Sequence, residues 1–190
     1  MRTINSHFIG NFKDGDNICY NLEVLNKLYE AYYRDEERSP FLRKPITVFI
    51  VAILEAALDD LFYKIRGYTR EGVPNLSADT VAKVRTNTSS YRKFKTQIKC
   101  AKNHDFFDVA GSNFYTVLDE LRKIRNRMHI QNNYRDTPFG ENEVFTERRL
   151  IQAEKVCEHT LAKMSEKFPR SPYNRGYVDD FILPWNSHYS

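Results

Sequence analysis

The feature that most constrains the fold is a long apolar segment after Pro45, with the sequence ITVFIVAILEAALDDLFYKI. Its first half is apolar on nearly every side, whereas a helix at a protein surface has a single apolar stripe. The segment therefore predicts a central buried helix that begins after Pro45, reaches about Ile65 and stops at Gly67. Residues 46–58 are too short for a membrane span and contain Glu55, so we expect a core helix and no membrane partner.

Apolar residues at helical spacing predict further helices on both sides of this segment. The predicted helices span about residues 21–33, 77–84, 89–102, 113–133 and 146–168, with Ser77 and Thr146 as caps at their starts. No strand pattern of comparable quality is present. The sequence therefore predicts an all-α domain over residues 1–168, an antiparallel bundle of four to five helices. An aromatic C-terminal tail, residues 169–190, is expected to pack on the bundle or to fray from it.

Composition and cysteine usage bound the class of protein. The chain has 190 residues and a formal net charge of +4, which permits a polyanionic partner but does not require one. Cys19, Cys100 and Cys157 are far apart and odd in number, which argues against a disulfide framework or a cysteine zinc site. The first residues contain no apolar signal segment. We therefore expect a reducing, cytoplasmic location.

Basic residues are concentrated in the middle of the chain. They are Lys83, Arg85, Arg92, Lys93, Lys95, Lys99 and Lys102. Such a run is either a solvated helix face or a functional basic surface. The sequence leaves both readings open, with the solvated face as the more ordinary one.

The best candidate for chemistry is the segment LRKIRNRMHIQNNYRD, which begins at Leu121. At about 100° per residue, side chains seven apart on an α-helix return to nearly the same direction. On a continuous helix, one polar edge would therefore lie beside the apolar stripe. Its members would be Arg122, Arg125, Asn126, His129 and Asn133, while Arg127 would face solvent.

This edge carries the groups that RNA cleavage needs. His129 can transfer a proton near neutral pH, and an arginine can grip a phosphate and stabilise the charge that develops there. Asn126 can orient either partner. No cofactor is implied, and no metal either, because no second histidine or carboxylate accompanies His129 at ligand spacing. The alternative is that these residues cap helices, pair with acids or face water, as most such residues do.

An arginine and asparagine followed shortly by a histidine, late in a helical bundle, resembles the signature of the HEPN superfamily. That signature is an arginine, four to six intervening residues and a histidine, often with asparagine directly after the arginine. Six residues separate Arg122 from His129, whereas Arg125 precedes Asn126 directly but lies only three residues before His129. Arg122 fits the spacing better, and Arg125 stays open as its neighbour. The apolar helix that contains Glu55 also matches the family's layout, which extends over residues 20–168.

The resemblance implies a metal-independent endoribonuclease of a toxin–antitoxin or anti-phage defence system. It further implies RNA as substrate, a homodimer in which two motif helices face each other, and a cognate antitoxin or nucleotidyltransferase as a possible partner. Some HEPN proteins are inactive, so a dimerisation, regulatory or RNA-binding module is the alternative. Arg122, Asn126 and His129 are the expected catalytic residues, with Arg125, Glu55 and Asn133 in support.

Two further expectations concern polar groups outside the motif. A carboxylate in an apolar run needs a partner, so Glu55 is predicted to form a salt bridge or hydrogen bond that fixes the motif helix, a role that Asp59 would share. His159 is predicted at the surface or the core edge. His7, His104 and His188 have no supporting neighbours in the sequence.

Overall fold

The computed structural model describes residues 2–35, 40–128, 140–174 and 177–189. Within these ranges the chain forms seven α-helices and one two-stranded sheet. The helices are α1 (Phe12–Arg34), α2 (Pro40–Gly67), α3 (Ala78–Thr86), α4 (Phe94–Asn103), α5 (Phe114–Arg125), α6 (Glu141–Val144) and α7 (Glu147–Lys167), and the strands are β1 (Arg2–Ile4) and β2 (Phe181–Leu183). Short 3-10 turns span Ser90–Arg92, Asn126–Met128 and Pro172–Asn174. The prediction of an all-α bundle is confirmed.

Helix α2 is the centre of the molecule, as its apolar sequence predicts. Its side chains are buried around most of its circumference, and it packs against α1, α3, α4, α5 and α7. It begins at Pro40 rather than after Pro45, so the predicted start is wrong. Leu42, in the added residues, packs against the core, so packing offsets the backbone hydrogen bond that Pro45 removes in the second turn. No helix in the described ranges is long and apolar enough to cross a membrane.

The other helices differ from prediction mainly at their ends. Helices α3 and α7 begin after Ser77 and Thr146, and the hydroxyl of each residue accepts a hydrogen bond from a backbone N–H of the first turn, as predicted. Helix α1 begins at Phe12, earlier than the predicted Asn21, after a cap formed by the side chain of Asn11. The residues between contain glycine and several short polar side chains, which are poor helix formers, so tertiary packing decides their state.

Helix α5 is shorter than predicted. It ends at Arg125, and the chain continues as a 3-10 turn over Asn126–Met128. The predicted helix to about Asn133 is therefore wrong at its C-terminal end, and residues 129–139 lie outside the described residues.

The sheet joins the two ends of the described chain. Strand β1 pairs antiparallel with β2, with Arg2 opposite Leu183 and Ile4 opposite Phe181. Phe181, Leu183 and Trp185 are buried against the bundle. The sequence does not predict this sheet, because strands of three residues are too short to show an alternating pattern.

Candidate functional site

The end of α5 is held in place by two apolar contacts. Phe114, Leu118 and Leu121 join the main core, while Ile124 belongs to a smaller cluster with Val48, Val144 and Phe145. That smaller cluster connects α5 to the start of α2 and to α6 and the residue after it. The last turn of α5 is therefore fixed on the body of the protein, with its arginines at the edge of the packed face.

Arg125 is tied to the central helix by an ion pair. Its Nη2 donates a hydrogen bond to Oε2 of Glu55, so Glu55 has the charged partner that its apolar surroundings require. The Nε of Arg125 is buried and has no hydrogen-bond partner within the described ranges. Oδ1 of Asp59 accepts a hydrogen bond of 2.8 Å from Nε2 of Gln97, so its described partner lies on α4, and its shared role with Glu55 stays a prediction.

Arg122 is oriented by its own helix. Its Nε donates a 2.7 Å hydrogen bond to Oδ1 of Asp119, one turn earlier. Burial raises the pKa of Asp119, but the hydrogen bonds and charges of Arg122 and Lys123 more than offset it, so the pKa lies below its ordinary value. In the part of the chain that the structure describes, the two terminal nitrogens of Arg122 have no protein partner. The guanidinium is thus oriented through its Nε, on a side chain that is only 14% exposed.

The structure describes only part of the predicted polar edge. Arg122, Arg125 and Asn126 lie at the end of α5, whereas His129 and Asn133 lie outside the described residues. The expected common direction of Arg122 and His129 assumed an uninterrupted α-helix. Because α5 ends at Arg125 and a 3-10 turn follows, that spacing argument no longer applies.

Arg127 does not face solvent, so this prediction is wrong. Its side chain is only 12% exposed, and its Nε lies 3.4 Å from Oε1 of Glu141. Lys44 Nζ lies 2.6 Å from the other oxygen of the same carboxylate. The 3-10 turn redirects Arg127 towards α6, which a continuous helix would not do.

A second polar cluster, which we call the tail cluster, comprises Tyr29, Glu154 and His188. The Tyr29 hydroxyl donates a hydrogen bond to Oε1 of the buried Glu154, and Nε2 of His188 lies 2.7 Å from its Oε2. Burial first, and then the charge of Glu154, raises the pKa of Tyr29 far above its ordinary value. The sequence neighbours of His188 do not indicate this contact, because Glu154 lies 34 residues earlier in the chain. The sequence signal for this contact was Glu154, a carboxylate on the core face of α7, because a buried carboxylate requires a partner.

Glu158, one turn further along α7, is fully buried and binds both ends of the chain. It accepts hydrogen bonds from Arg2 Nη1 at 2.8 Å, Ser187 Oγ at 2.5 Å and the backbone N–H of His188 at 3.1 Å. Burial raises its pKa, but these donors outweigh burial and the pKa lies below its ordinary value. This geometry indicates a structural role for Glu158, which holds both ends of the described chain on α7.

A third buried cluster joins Asp60 and Lys64 on α2 to the backbone around them. Asp60 accepts hydrogen bonds of 2.8 Å from the N–H groups of Gly10 and Asn11, and Lys64 Nζ donates to the carbonyl oxygens of Phe8 and, at 3.1 Å, Phe168. Burial raises the pKa of Asp60 to about 6 and lowers that of Lys64 to about 8. The pair anchors the N-terminal segment and the end of α7.

Two further histidines, His159 and His104, have partners outside the candidate site, although His159 packs against Phe114 at the start of α5. His159 Nε2 lies 2.8 Å from the carbonyl oxygen of Phe107 at the core edge, and His104 Nδ1 lies 3.1 Å from the hydroxyl of Thr80. A cavity of about 470 Å³ is lined by His7 and Arg170, among others, and by no candidate site residue. Within the described ranges, no group of three or more histidine, cysteine or acidic side chains is arranged to hold a metal ion.

No protein-family model matches the chain, and no curated protein or solved structure is significantly similar to it. The geometry around α5 and the resemblance in its sequence are therefore the grounds for a functional proposal.

Proposed function

We propose that this chain is a metal-independent endoribonuclease of the HEPN type, acting in a toxin–antitoxin or anti-phage system. The observation that supports it most is at the end of α5. There, Nε of Arg122 is bound to Asp119 and Arg125 is held by Glu55 of the central helix, while Asn126 follows Arg125 directly in the sequence and His129 comes three residues later. A guanidinium oriented through its Nε suits two-pronged recognition of a phosphate by its terminal nitrogens.

Each residue has a distinct role in this proposal. His129 exchanges a proton with the ribose 2′-hydroxyl or the leaving oxygen, and Arg122 stabilises the charge on the phosphate. Arg125 is a positioning residue, because Glu55 already occupies its guanidinium. Asn126 orients the reacting groups, and Asn133 supports them. The Nε of Arg125 is buried and has no hydrogen-bond partner among the described residues, a cost to the fold of the kind found where function sets the geometry.

The active form in this proposal is a homodimer in which two copies of the α5 end face each other across a twofold axis. Met128, which is 54% exposed, lies beside the polar edge and supplies apolar area for such a contact. A cognate antitoxin or nucleotidyltransferase would restrain the activity. Light scattering at micromolar concentration should give twice the chain mass, and a strict monomer would count against the dimer.

RNA cleavage by purified variants tests the activity. Arg122→Ala and His129→Ala should each lower the rate by about 10²-fold or more, and the double variant little further, because residues that act as a unit are not additive. Arg122→Lys should also fail, since an ammonium cannot form the forked contact. Arg148→Ala, at an exposed position of α7, is the matched control and should retain full activity.

The products and the metal requirement give independent readouts. Attack by the 2′-hydroxyl should leave 2′,3′-cyclic phosphate ends, and EDTA should not inhibit. Full cleavage by His129→Ala, or loss of cleavage in EDTA, would contradict the mechanism.

One observation favours the alternative, an inactive HEPN-type module for dimerisation, regulation or RNA binding. Arg122 and Arg125 are each paired with a carboxylate, Asp119 and Glu55. Expression in a bacterial host separates the two functions. An active toxin should slow growth and His129→Ala should relieve the effect, whereas an inactive module should leave growth unchanged in both cases.

A further inference from the structure

The exposed face of α4 carries a row of lysines, which we call the α4 strip: Lys95, Lys99 and Lys102. All three side chains are exposed, and within the described ranges none has an ion pair with a carboxylate. At about 100° per residue their positions fall within roughly 60° of one another on the helix, so they form a single line along it. Arg92 and Lys93, which directly precede α4 in the sequence, are exposed too.

The charge of the chain is distributed very unevenly. Residues 78–104 contain seven basic residues and a single acidic one, Asp79. The whole chain carries a formal net charge of +4, so the residues outside this segment are net negative by two. An ordinary solvated face mixes both signs, whereas a one-signed face on an otherwise acidic protein creates a local positive potential that attracts polyanions.

The surroundings of the α4 strip argue against a membrane surface as its partner. Interfacial helices insert large apolar side chains beside their basic residues. The apolar residues of α4, Phe94, Ile98, Cys100 and Ala101, are buried in the core. The exposed large hydrophobic side chains of the described ranges all lie outside residues 78–104. The strip therefore offers charge without an apolar anchor, which suits a phosphate backbone in water.

The α4 strip lies on a helix that packs directly against α5, which carries Arg122 and Arg125. We propose that the strip binds the phosphate backbone of single-stranded RNA and holds the substrate on the helix that packs against α5. The choice of RNA as the polyanion rests on the proposed function. Lysine ammonium groups are point charges, so the contact holds the strand without reading its bases.

Salt dependence of binding measures this contact directly. Each phosphate neutralised on a single strand steepens the dependence of log Kd on log salt by about 0.7, so three lysines contribute about 2. Fluorescence anisotropy with a labelled 20-nucleotide single-stranded RNA should therefore show a slope shallower by about 2 for Lys95→Gln/Lys99→Gln/Lys102→Gln. The background is His129→Ala, so that cleavage does not interfere.

A charge-matched variant controls for the loss of three positive charges. Lys13→Gln/Lys27→Gln/Lys155→Gln removes three exposed lysines from α1 and α7. This control should keep the wild-type slope and affinity. Circular dichroism should show unchanged helix content in both triple variants, because every substituted side chain is exposed.

Equal slopes for the two triple variants would overturn the proposal. A protein that binds vesicles with anionic lipid through the strip lysines, and does not bind RNA, would also overturn it, since that result assigns the surface to a membrane. Strip-dependent RNA binding without cleavage by the unmutated chain would support this inference and contradict the endoribonuclease. If Lys95→Gln/Lys99→Gln/Lys102→Gln changes neither RNA binding nor cleavage, the result would contradict this inference and support the endoribonuclease.

Discussion

At the scale of single residues, the Arg125–Glu55 pair is the contact on which the α5 end depends. Glu55→Ala would leave a partly buried guanidinium without this partner, in addition to the Nε, for which the described residues supply no partner. We expect the free energy of unfolding to fall by about 1–2 kcal/mol, since both side chains keep some solvent contact. Urea denaturation measures this loss.

Two further variants make the Glu55 prediction specific. Glu23→Ala removes an exposed carboxylate of α1 and should change stability by less than about 0.5 kcal/mol. The swap Glu55→Arg with Arg125→Glu should recover part of the loss if charge pairing is the cause. If the double variant loses as much free energy of unfolding as the two single variants together, packing rather than charge is responsible.

Gly10 is required where the N-terminal segment crosses α2. A Cβ at this position would lie 2.4 Å from Cγ of Lys64 and 3.3 Å from Oδ1 of Asp60. Gly10→Ala should therefore cost about 1–3 kcal/mol in thermal or urea unfolding, because the buried pair must move. Gly67→Ala is the control, since an added Cβ there meets nothing within 4 Å. Equal stability of the two variants would contradict the close approach.

The sequence predicts some of these residues better than others. It indicates that Glu55 needs a partner because an isolated carboxylate in an apolar run is costly. It does not indicate that His188 is that kind of partner for Glu154, which precedes it by 34 residues. Arg127 is mispredicted because a change of helix type alters the direction of a side chain without any mark in the apolar pattern.

At the scale of elements, the clearest sequence signal is the start of α7. The Thr146 hydroxyl accepts a hydrogen bond of 3.3 Å from the N–H of Arg149. Thr146→Ala should lower the free energy of unfolding by about 1 kcal/mol, whereas Thr146→Ser should keep most of the stability because serine caps equally well. Urea denaturation of the three proteins tests this, and equal losses for alanine and serine would mean that the methyl group matters instead of the cap.

Element boundaries follow the sequence only where local and tertiary preferences agree. Helix α7 combines a cap with an apolar stripe, so both its ends match the prediction closely. The first turns of α1 contain Gly15, which is buried and so close to Val178 of the tail that an added Cβ would clash with it. A contact 163 residues away in sequence leaves no local signal. The geometry of the candidate site is equally hard to predict from the sequence, since it depends on where α5 ends.

At the scale of the whole molecule, α2 determines the architecture and the chain ends close over it. The apolar sequence of α2 is enough to predict a central helix and a bundle around it. The closure depends on the pairing of β1 with β2 and on the two buried carboxylates of α7, which are long-range contacts. Such contacts are set by complementary surfaces of the finished fold, so a single sequence does not reveal them.

The buried pair of Asp60 and Lys64 links stability of the whole fold to pH. Burial raises the pKa of Asp60 from 3.8 to about 6, so the folded chain holds a proton that the unfolded chain releases between about pH 4 and 6. Stability contributed by this group is present below the lower value and lost as pH rises through the upper one. Burial lowers the pKa of Lys64 from 10.5 to about 8, so its contribution increases as pH rises from about 8 to 10.5.

Unfolding by urea over a range of pH tests this linkage. From pH 4 to pH 6.5 the free energy of unfolding of wild type should fall relative to that of Asp60→Asn, by up to about 3 kcal/mol for a shift of roughly two pH units. Asp16→Asn, at an exposed position of α1, is the control and should follow the wild-type curve. Lys64→Met should remove the rise above pH 8, whereas the fall between pH 4 and 6.5 should remain and become larger, because the charge of Lys64 lowers the pKa of Asp60. Parallel curves for wild type and Asp60→Asn below pH 6.5 would mean that the Asp60 carboxylate is fully stabilised by Lys64 and the two N–H donors.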